Sequence, residues 1–386
     1  MKVMHVITRM IVGGAQENTL YNCLDLSRDF HDEVQLLTGP STGAEGELLS
    51  KVDTSDIAIE VIPALKRSIH PIHDWNAYSA LKAKMQLWKP DVVHTHSAKG
   101  GLLGRAAAWT SKVSCVIHTV HGAPFHPFQN RLSRAFFIAC ERWAAKRCHH
   151  MISVADAMTE LMVKARVAPP NHFTTIYSGM DVEPFLNAHL HRNNMRTKLG
   201  FRDEDIVFGK IARLFHLKGH EFVIGAAKSV VSQVPNAKFL FVGDGLLRRE
   251  LEERIANADL TKHFRFVGLV SPSEIPAYIS AMDVLVHTSL REGLARALPQ
   301  SLIAGKPAIS FDVDGAREVV ITGLTGCLVP PLDVQRLAES MVELALSPSK
   351  RDSMGREGRR RFADRFCHQS MTRDIRELYC RWSRSK

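Results

Sequence analysis

No charge-free apolar stretch in the chain approaches the roughly 18 residues needed to cross a bilayer, so it reads as soluble or peripheral to a membrane. Residues 1–12 are apolar but are interrupted by Lys2, His5 and Arg9. They run into a Gly-Gly pair where a signal peptide would continue its apolar core, and so read as a first strand. The seven cysteines are odd in number and contain no Cys-x-x-Cys pair. That argues against disulfides or structural zinc and for reduced thiols in the cytoplasm. Gly-x-Gly-x-x-Gly is absent, which counts against a nicotinamide or flavin dinucleotide. No repeat of solenoid length and no low-complexity tract occurs. With 45% hydrophobic and 23% charged residues, the chain is ordinary globular material rather than mainly disordered or disulfide-scaffolded.

What the chain has in excess is positive charge, +10 overall, and it is local. Residues 101–150 hold seven basic side chains and one acidic, and residues 351–386 hold eleven and five. The remainder is slightly acidic. Two basic patches follow, rather than a nucleic-acid-binding domain.

At 386 residues the chain exceeds what one core usually accommodates, and its pattern starts twice. Short β-branched runs at 2–8, 33–38, 57–62, 91–96, 114–120, 151–154 and 173–177 alternate with amphipathic segments. A second set follows at 206–213, 238–242, 264–267, 284–287 and 308–311. Alternation of this kind describes βα units on parallel sheets, so the expectation is an α/β protein of two doubly wound halves. The boundaries fall at 1–175 and 176–366, joined near 176–200, where Ser178-Gly179, Pro184 and the polar run 187–198 break the periodicity. Ligands of open α/β sheets sit at the carboxyl ends of strands, so the cleft between the halves is the default site. Met371, Ile375, Leu378, Tyr379 and Trp382 form one apolar stripe of a final helix that must pack on something.

Three places can carry chemistry. The first strand runs into Gly13-Gly14-Ala15-Gln16 ahead of a helix, where backbone N–H groups can approach an anion or a sugar, or where the glycines simply make a turn. In the second half Arg213 ends a strand and Lys218-Gly219 opens the next helix. Two cations on one rim suit a diphosphate whose charge grows as it departs, although solvated surface cations are the plain alternative. Glu292 stands at the end of a further strand with Gln300 eight residues on. Two turns of helix would put both on nearly one face, able to meet sugar hydroxyls; alternatively Glu292 is a helix-start charge.

With His121-Gly122, Tyr177-Ser178-Gly179-Met180-Asp181, Val242-Gly243-Asp244-Gly245 and the segment from Glu292-Gly293 to Ala304-Gly305-Lys306-Pro307, these pieces in this order resemble family-four glycosyltransferases of the GT-B fold over nearly the whole chain. The resemblance implies two Rossmann-like domains facing a cleft, with the C-terminal helix (367–386) crossing back to the N-terminal domain. It implies a retaining, metal-independent transfer of a sugar from a nucleotide sugar, most readily a UDP-sugar, with no cofactor, to an acceptor hydroxyl on a glycan or lipid-linked glycan. By similarity Arg213 and Lys218 hold the donor diphosphate and Glu292 and His121 contact the donor sugar. Gly293 and Leu294 support sugar and phosphate through the main chain, Gly243 and Gly268 belong to the donor side, and Gly13, Gly14 and Gln16 line the acceptor side, Gly14 also touching the donor. Acceptor loops are expected at 42–47 and 123–129. Two departures matter: the family's second glutamate is Gln300 here, which keeps an acceptor oxygen for a ribose hydroxyl but loses its charge, about 1 kcal/mol, and the second lies in the junction motif. A catalytically silent sugar-nucleotide-binding protein and a GT-B epimerase therefore stay open. The usual Asn of the junction motif is Ser178.

Other features have plainer readings. His94, His96, His118 and His121 lie near two strand ends and can be drawn as a zinc site, but carboxylate or thiolate ligands are missing. Asp312-Val313-Asp314 reads as a turn rather than a metal-binding Asp-x-Asp. Along 131–147, Arg131, Arg134, Arg142 and Lys146 share one arc and Leu132, Phe136, Ala139, Cys140 and Trp143 another. Such a helix either packs its apolar arc inward or lies on an anionic membrane, with Arg359-Arg360-Arg361 extending the patch or merely solvated. Packing inward is the favoured reading. With lipid headgroups under the cationic arc, the protein would be peripheral at the inner face of the membrane.

Overall fold

Seven short apolar runs pair side by side, all parallel, as β1 (Lys2–Ile7), β2 (Glu33–Thr38), β3 (Ala58–Val61), β4 (Val92–His96), β5 (Cys115–Val120), β6 (His150–Ser153) and β7 (Phe173–Thr175), in the order β3-β2-β1-β4-β5-β6-β7. In this computed structural model the described residues are 1–41, 48–126 and 129–383. They divide into two compact units, Met1–Met180 with Arg365–Lys386, and Asp181–Asp364. The central strands β4 and β5 are buried along their whole length because helices cover both faces of the sheet.

Alternation along β4 separates those faces. The His94 ring reaches the Tyr379 hydroxyl of the C-terminal helix (His368–Ser383) at 2.6 Å. Thr95, one residue on, faces the other way, and its methyl lies 2.8 Å from where a Cβ on Gly104 would stand. Gly104 belongs to α3 (Ala98–Thr110), which packs between α2 (Pro71–Trp88) and α4 (Arg131–Ala145). The stripe Met371, Ile375, Leu378 and Tyr379 joins the apolar cluster of Val3, Leu20, Leu24 and Ile117, beside α1 (Gly14–Arg28). Polar clasps hold it there: Thr372 donates to Asp25 at 2.8 Å and Arg376 donates to Asp32 at 2.8 Å. The final helix thus packs on the N-terminal unit, as the stripe requires.

The second unit carries β8 (Ile206–Ile211), β9 (Ala237–Val242), β10 (Phe264–Phe266), β11 (Val284–His287), β12 (Ala308–Phe311) and β13 (Gly326–Val329), in the order β10-β9-β8-β11-β12-β13. Phe208, Phe239, Phe241 and Phe311 are fully buried in its core against the helices His220–Gln233 and Val334–Leu346. Strand β13 lies outside the expected set. It opens on Gly326, a residue that strands disfavour, where a Cβ would stand 1.9 Å from the Ala308 carbonyl oxygen.

Two expectations about helices are corrected. The polar run 187–198 is not a connecting stretch: most of it belongs to the helix Arg192–Leu199, an integral part of the second unit. Its polar residues are structural, with buried Arg196 donating to the carbonyls of Ala281, Arg202 and Asp205 and Arg192 pairing with Asp283 at 2.7 Å. On α4 the apolar arc does not pack inward. Leu132, Phe136 and Trp143 are 86, 53 and 45% exposed, while Glu141, Ala144 and Ala145 face the protein. The reason is an ion pair: Glu141 meets the fully buried Arg105 of α3 at 2.9 Å and sets the rotation of the helix. The C-terminal helix also lies across the sheet from α3, so the basic windows do not merge on one helical layer. Arg359 donates to the Ile303 carbonyl, and Arg360 and Arg361 pair with Glu357, all within the second unit.

Candidate active site

In each sheet the strand order reverses once, between β1 and β4 in the first unit and between β8 and β11 in the second. Loops leaving such neighbours diverge and open a crevice at the carboxyl ends of the strands. The second unit puts Arg213, Lys218 and Glu292 at its reversal. Arg213 follows β8, is exposed, and its guanidinium stands 5.1 Å from the centre of the Phe215 ring. Around it the main chain is knit tightly: Leu214 N–H donates to the Asp244 carbonyl at 2.9 Å and Gly243 N–H to the Gly268 carbonyl at 2.9 Å. Gly243 has φ +136°, and a Cβ there would lie 2.1 Å from the Ala212 carbonyl oxygen, so only glycine lets the β8 and β9 loops touch.

Lys218 and Glu292 come from segments 74 residues apart and form an ion pair at 2.5 Å. Burial pushes the Glu292 carboxyl up, but Lys218, His287 and Ser289 together outweigh this and hold it below its ordinary value. Its backbone N–H donates to the Asp314 carboxylate at 2.6 Å, and Gly315 N–H donates to the Gly293 carbonyl at 3.1 Å. Asp314 therefore buttresses the Glu292 loop, and Asp312 pairs with Arg317 at 2.8 Å, so the Asp-x-Asp is a structural turn. Gly219, at φ +71°, caps the helix that follows Lys218. A Cβ there would stand 1.9 Å from the Thr288 carbonyl oxygen, so the two loops meet only over a glycine.

One expected geometry is corrected. Residues 290–296 are not helical, and the helix containing Gln300 starts at Ala297. Glu292 and Gln300 therefore do not share a helical face, because Lys218 and Asp314 draw the chain at Glu292 into an extended loop. Gln300 is half-buried on the short helix, and Gly293 and Leu294 occupy the loop before it.

Sequence reasoning missed the layer beneath. Lys210, inside β8, has no exposed surface and donates to the Thr288 hydroxyl at 3.0 Å; His220 and His287 are also buried. The readable signal was a single charge in an otherwise apolar strand, Ile-Val-Phe-Gly-Lys-Ile. Burial, reinforced by Lys218, lowers the Lys210 pKa to about 7.

In the first unit Gly13, in extended conformation, precedes α1, and its carbonyl accepts from Glu17 N–H at 3.0 Å. A Cβ on Gly13 would stand 2.8 Å from the Gln16 side-chain oxygen, so Gln16 folds over a gap that glycine leaves. Gly14 begins the helix. The end of β1 is tied to the start of α3 by the Thr8 and Ser97 hydroxyls at 2.6 Å. His121, after β5, is bonded through Nε2 to His96 Nδ1 at 3.1 Å, and His96 Nε2 to His5 Nδ1 at 3.0 Å. His5, which the sequence did not single out, joins His94 and His96 in a buried group whose ligand-type nitrogens lie within 4.8 Å of one another. His118 is bonded instead to Thr95. Burial lowers the pKa of His5 to about 3 and those of His94 and His96 well below the usual histidine range, so these rings are neutral. Residues 42–47, 127 and 128 of the expected acceptor loops lie outside the described residues.

Compared with known proteins, residues 12–184 match the family described as Glycosyltransferase Family 4 and residues 191–361 match Glycosyl transferases group 1. The chain is 29% identical over 346 residues to the UDP-Gal:alpha-D-GlcNAc-diphosphoundecaprenol alpha-1,3-galactosyltransferase of Escherichia coli, covering 89% of this chain and 87% of that protein. It is 25% identical to the capsular polysaccharide biosynthesis glycosyltransferase CapM of Staphylococcus aureus, covering 87% and 88%. Among solved structures it resembles HepE of Anabaena in complex with UDP, with a TM-score of 0.82 at 20% identity over 99% of this chain and all of that one.

Proposed function

Because this chain belongs to the family-four, group 1 glycosyltransferases with the GT-B fold, we propose that it moves a sugar from a UDP-sugar to a hydroxyl of a glycan or lipid-linked acceptor, with retention of configuration and no metal or other cofactor. The observation that carries the proposal is the Lys218–Glu292 pair with Arg213 at the reversal between β8 and β11. An ammonium has three donors, so Lys218 can keep Glu292 and still bind a phosphate oxygen. Arg213 supplies a planar fork for the same diphosphate. Both interactions strengthen as the nucleoside diphosphate departs with its growing charge, which is how fixed cations lower the barrier. Glu292, neutralised by Lys218, is a poor nucleophile and better suited to accept hydrogen bonds from sugar hydroxyls. With no protein nucleophile, the departing phosphate oxygen takes the acceptor proton on the same face and configuration is retained. His121, reaching from the first unit, is assigned to the donor sugar, Gly13, Gly14 and Gln16 to the acceptor side with Gly14 also touching the donor, and Gly243, Gly268, Gly293, Leu294 and Gln300 to the donor.

UDP is favoured over other nucleotides because it is the diphosphate named for both the Escherichia coli relative and the HepE complex. A diphosphoundecaprenol acceptor in that relative supports a lipid-linked one here. A thermal-shift series with UDP, GDP, ADP and UDP-sugars tests the donor. UDP and at least one UDP-sugar raise the melting temperature through mass action, and a preference for GDP or ADP would overturn the assignment.

Such an acceptor sits at a membrane, and α4 suits one. Leu132, Phe136 and Trp143 point to solvent at helical spacing, and Arg131, Arg134, Arg142 and Lys146 are exposed beside them. The helix's one acidic residue, Glu141, is buried against Arg105 and leaves that surface purely cationic. On the same helical layer α2 carries exposed Ile72 and Trp75 in its first turns, with exposed Ile69 just before it and Lys66 and Arg67 ahead of that. Apolar side chains entering the headgroup region, framed by cations, fit an anionic lipid surface at the inner face of a membrane.

A further inference from the structure

Beneath the proposed diphosphate site lies a charge-bearing group that the proposed reaction does not use. Lys210 is fully buried in β8, and its side-chain nitrogen donates to the Thr288 hydroxyl at 3.0 Å. That hydroxyl donates in turn to the Gly219 carbonyl at 2.6 Å, on the residue that follows Lys218. The path from Lys210 thus ends in the turn that positions Lys218 and, through it, Glu292. The pocket around Lys210 is polar and under-satisfied: among the described residues both nitrogens of buried His220 and Nε2 of buried His287 lack hydrogen-bond partners, and His287 Nε2 lies 3.8 Å from Glu292 Oε1. A buried amine is costly to fold, and replacing a buried ionic group by a well-packed apolar residue is often neutral or stabilising. Costly buried ionisable groups cluster at functional sites, and this one lies directly beneath an anion site.

We propose that Lys210 is a buried third cation of the diphosphate site, taking a proton from solvent when a nucleoside diphosphate arrives and returning it when the diphosphate leaves. This rests on the donor assignment above. The groups that face Lys210 are Lys218, Glu221 and Glu292, with His220 on the following helix and His287 on β11. Burial and Lys218 hold it at about 7, so it is mainly neutral at pH 8. A diphosphate at Lys218 adds negative charge nearby and favours the ammonium form. Lys210 gains a proton from the buffer, and no covalent bond changes. The gain puts positive charge next to the leaving group in the bound state, and product release drives its loss.

Titration of UDP by calorimetry at pH 8, where its terminal phosphate is already ionised, distinguishes the outcomes. In Tris and in EPPS, buffers of different ionisation enthalpy, the wild-type heat is expected to differ by the uptake of on the order of one proton. UDP affinity should also tighten by up to about tenfold per pH unit between pH 9 and 8. Lys210→Met should still bind UDP, more weakly, with equal heats in both buffers and little pH dependence. Lys210→Arg, permanently charged, should likewise lose the uptake. A buffer-independent wild-type heat, or an uptake that persists in Lys210→Met, overturns the role of Lys210 and leaves the donor assignment standing. Failure of UDP to bind the wild-type protein overturns the donor assignment itself, and this inference with it.

Discussion

Lys218 illustrates how one side chain serves two demands. Its pairing with Glu292 holds a partly buried carboxylate in its charged form, and its remaining donors are available to a phosphate. Lys218→Ala should therefore do double damage, removing a cation from the leaving group and leaving the Glu292 carboxylate without its ammonium partner. Turnover is expected to fall by on the order of a hundredfold or more in a transfer assay with a UDP-sugar. Near-wild-type activity would dismiss the assignment. Gln300→Glu restores a charge-assisted bond to a ribose hydroxyl worth about 1 kcal/mol, and should tighten UDP binding roughly fivefold. No change in affinity would mean that Gln300 does not reach the ribose.

At the scale of elements, α4 shows how a single ion pair turns a helix. Arg105 is fully buried and its carboxylate partner is Glu141. Glu141→Ala leaves an uncompensated buried guanidinium, at a cost of about 3–5 kcal/mol that a denaturant melt would register. The rotation that this pair imposes is what turns Leu132, Phe136 and Trp143 outward. Replacing Phe136 and Trp143 together by Ser should leave the melting temperature within a few degrees of wild type while abolishing co-sedimentation with anionic liposomes. Binding of the wild type that ignores both anionic lipid and salt would count against the membrane role.

At the scale of the molecule, both sheets bury histidines in neutral form. Burial takes His5 and His287 down to about 3 and His150 to about 4. An unfolded chain titrates these rings near 6.5, so between that pH and the folded values it binds more protons than the native state. Stability is therefore full above about 6.5 and is lost as pH falls, each ring contributing up to about 1.4 kcal/mol per pH unit. Melting temperature should drop steadily from pH 6.5 to 5.5, before most carboxylates titrate. A flat profile across that interval would show that the buried rings are protonated in the native state.

Much of this was readable along the chain, because local rules govern it. Period-two and period-3.6 patterns with glycine punctuation identify two wound halves, and the order Gly13-Gly14, His121, Arg213, Lys218, Glu292 carries the resemblance to the family. The stripe from Met371 to Trp382 demands a partner, and the tertiary structure supplies it on α1. What depended on contacts between distant segments stayed hidden. The sequence presents Glu292 and Gln300 as two turns of one helix, and Lys218, 74 residues away, unwinds that reading. It presents an apolar arc on α4 as core, and Arg105 rotates it to the surface. Lys210, a lone charge inside a strand, shows in the sequence that something is unusual; only the packing of β8 against Thr288 shows where that charge lies and what it can serve. Periodicity and turn chemistry are properties of neighbours in sequence, whereas burial and ion pairing are properties of neighbours in space, which only the folded chain brings together.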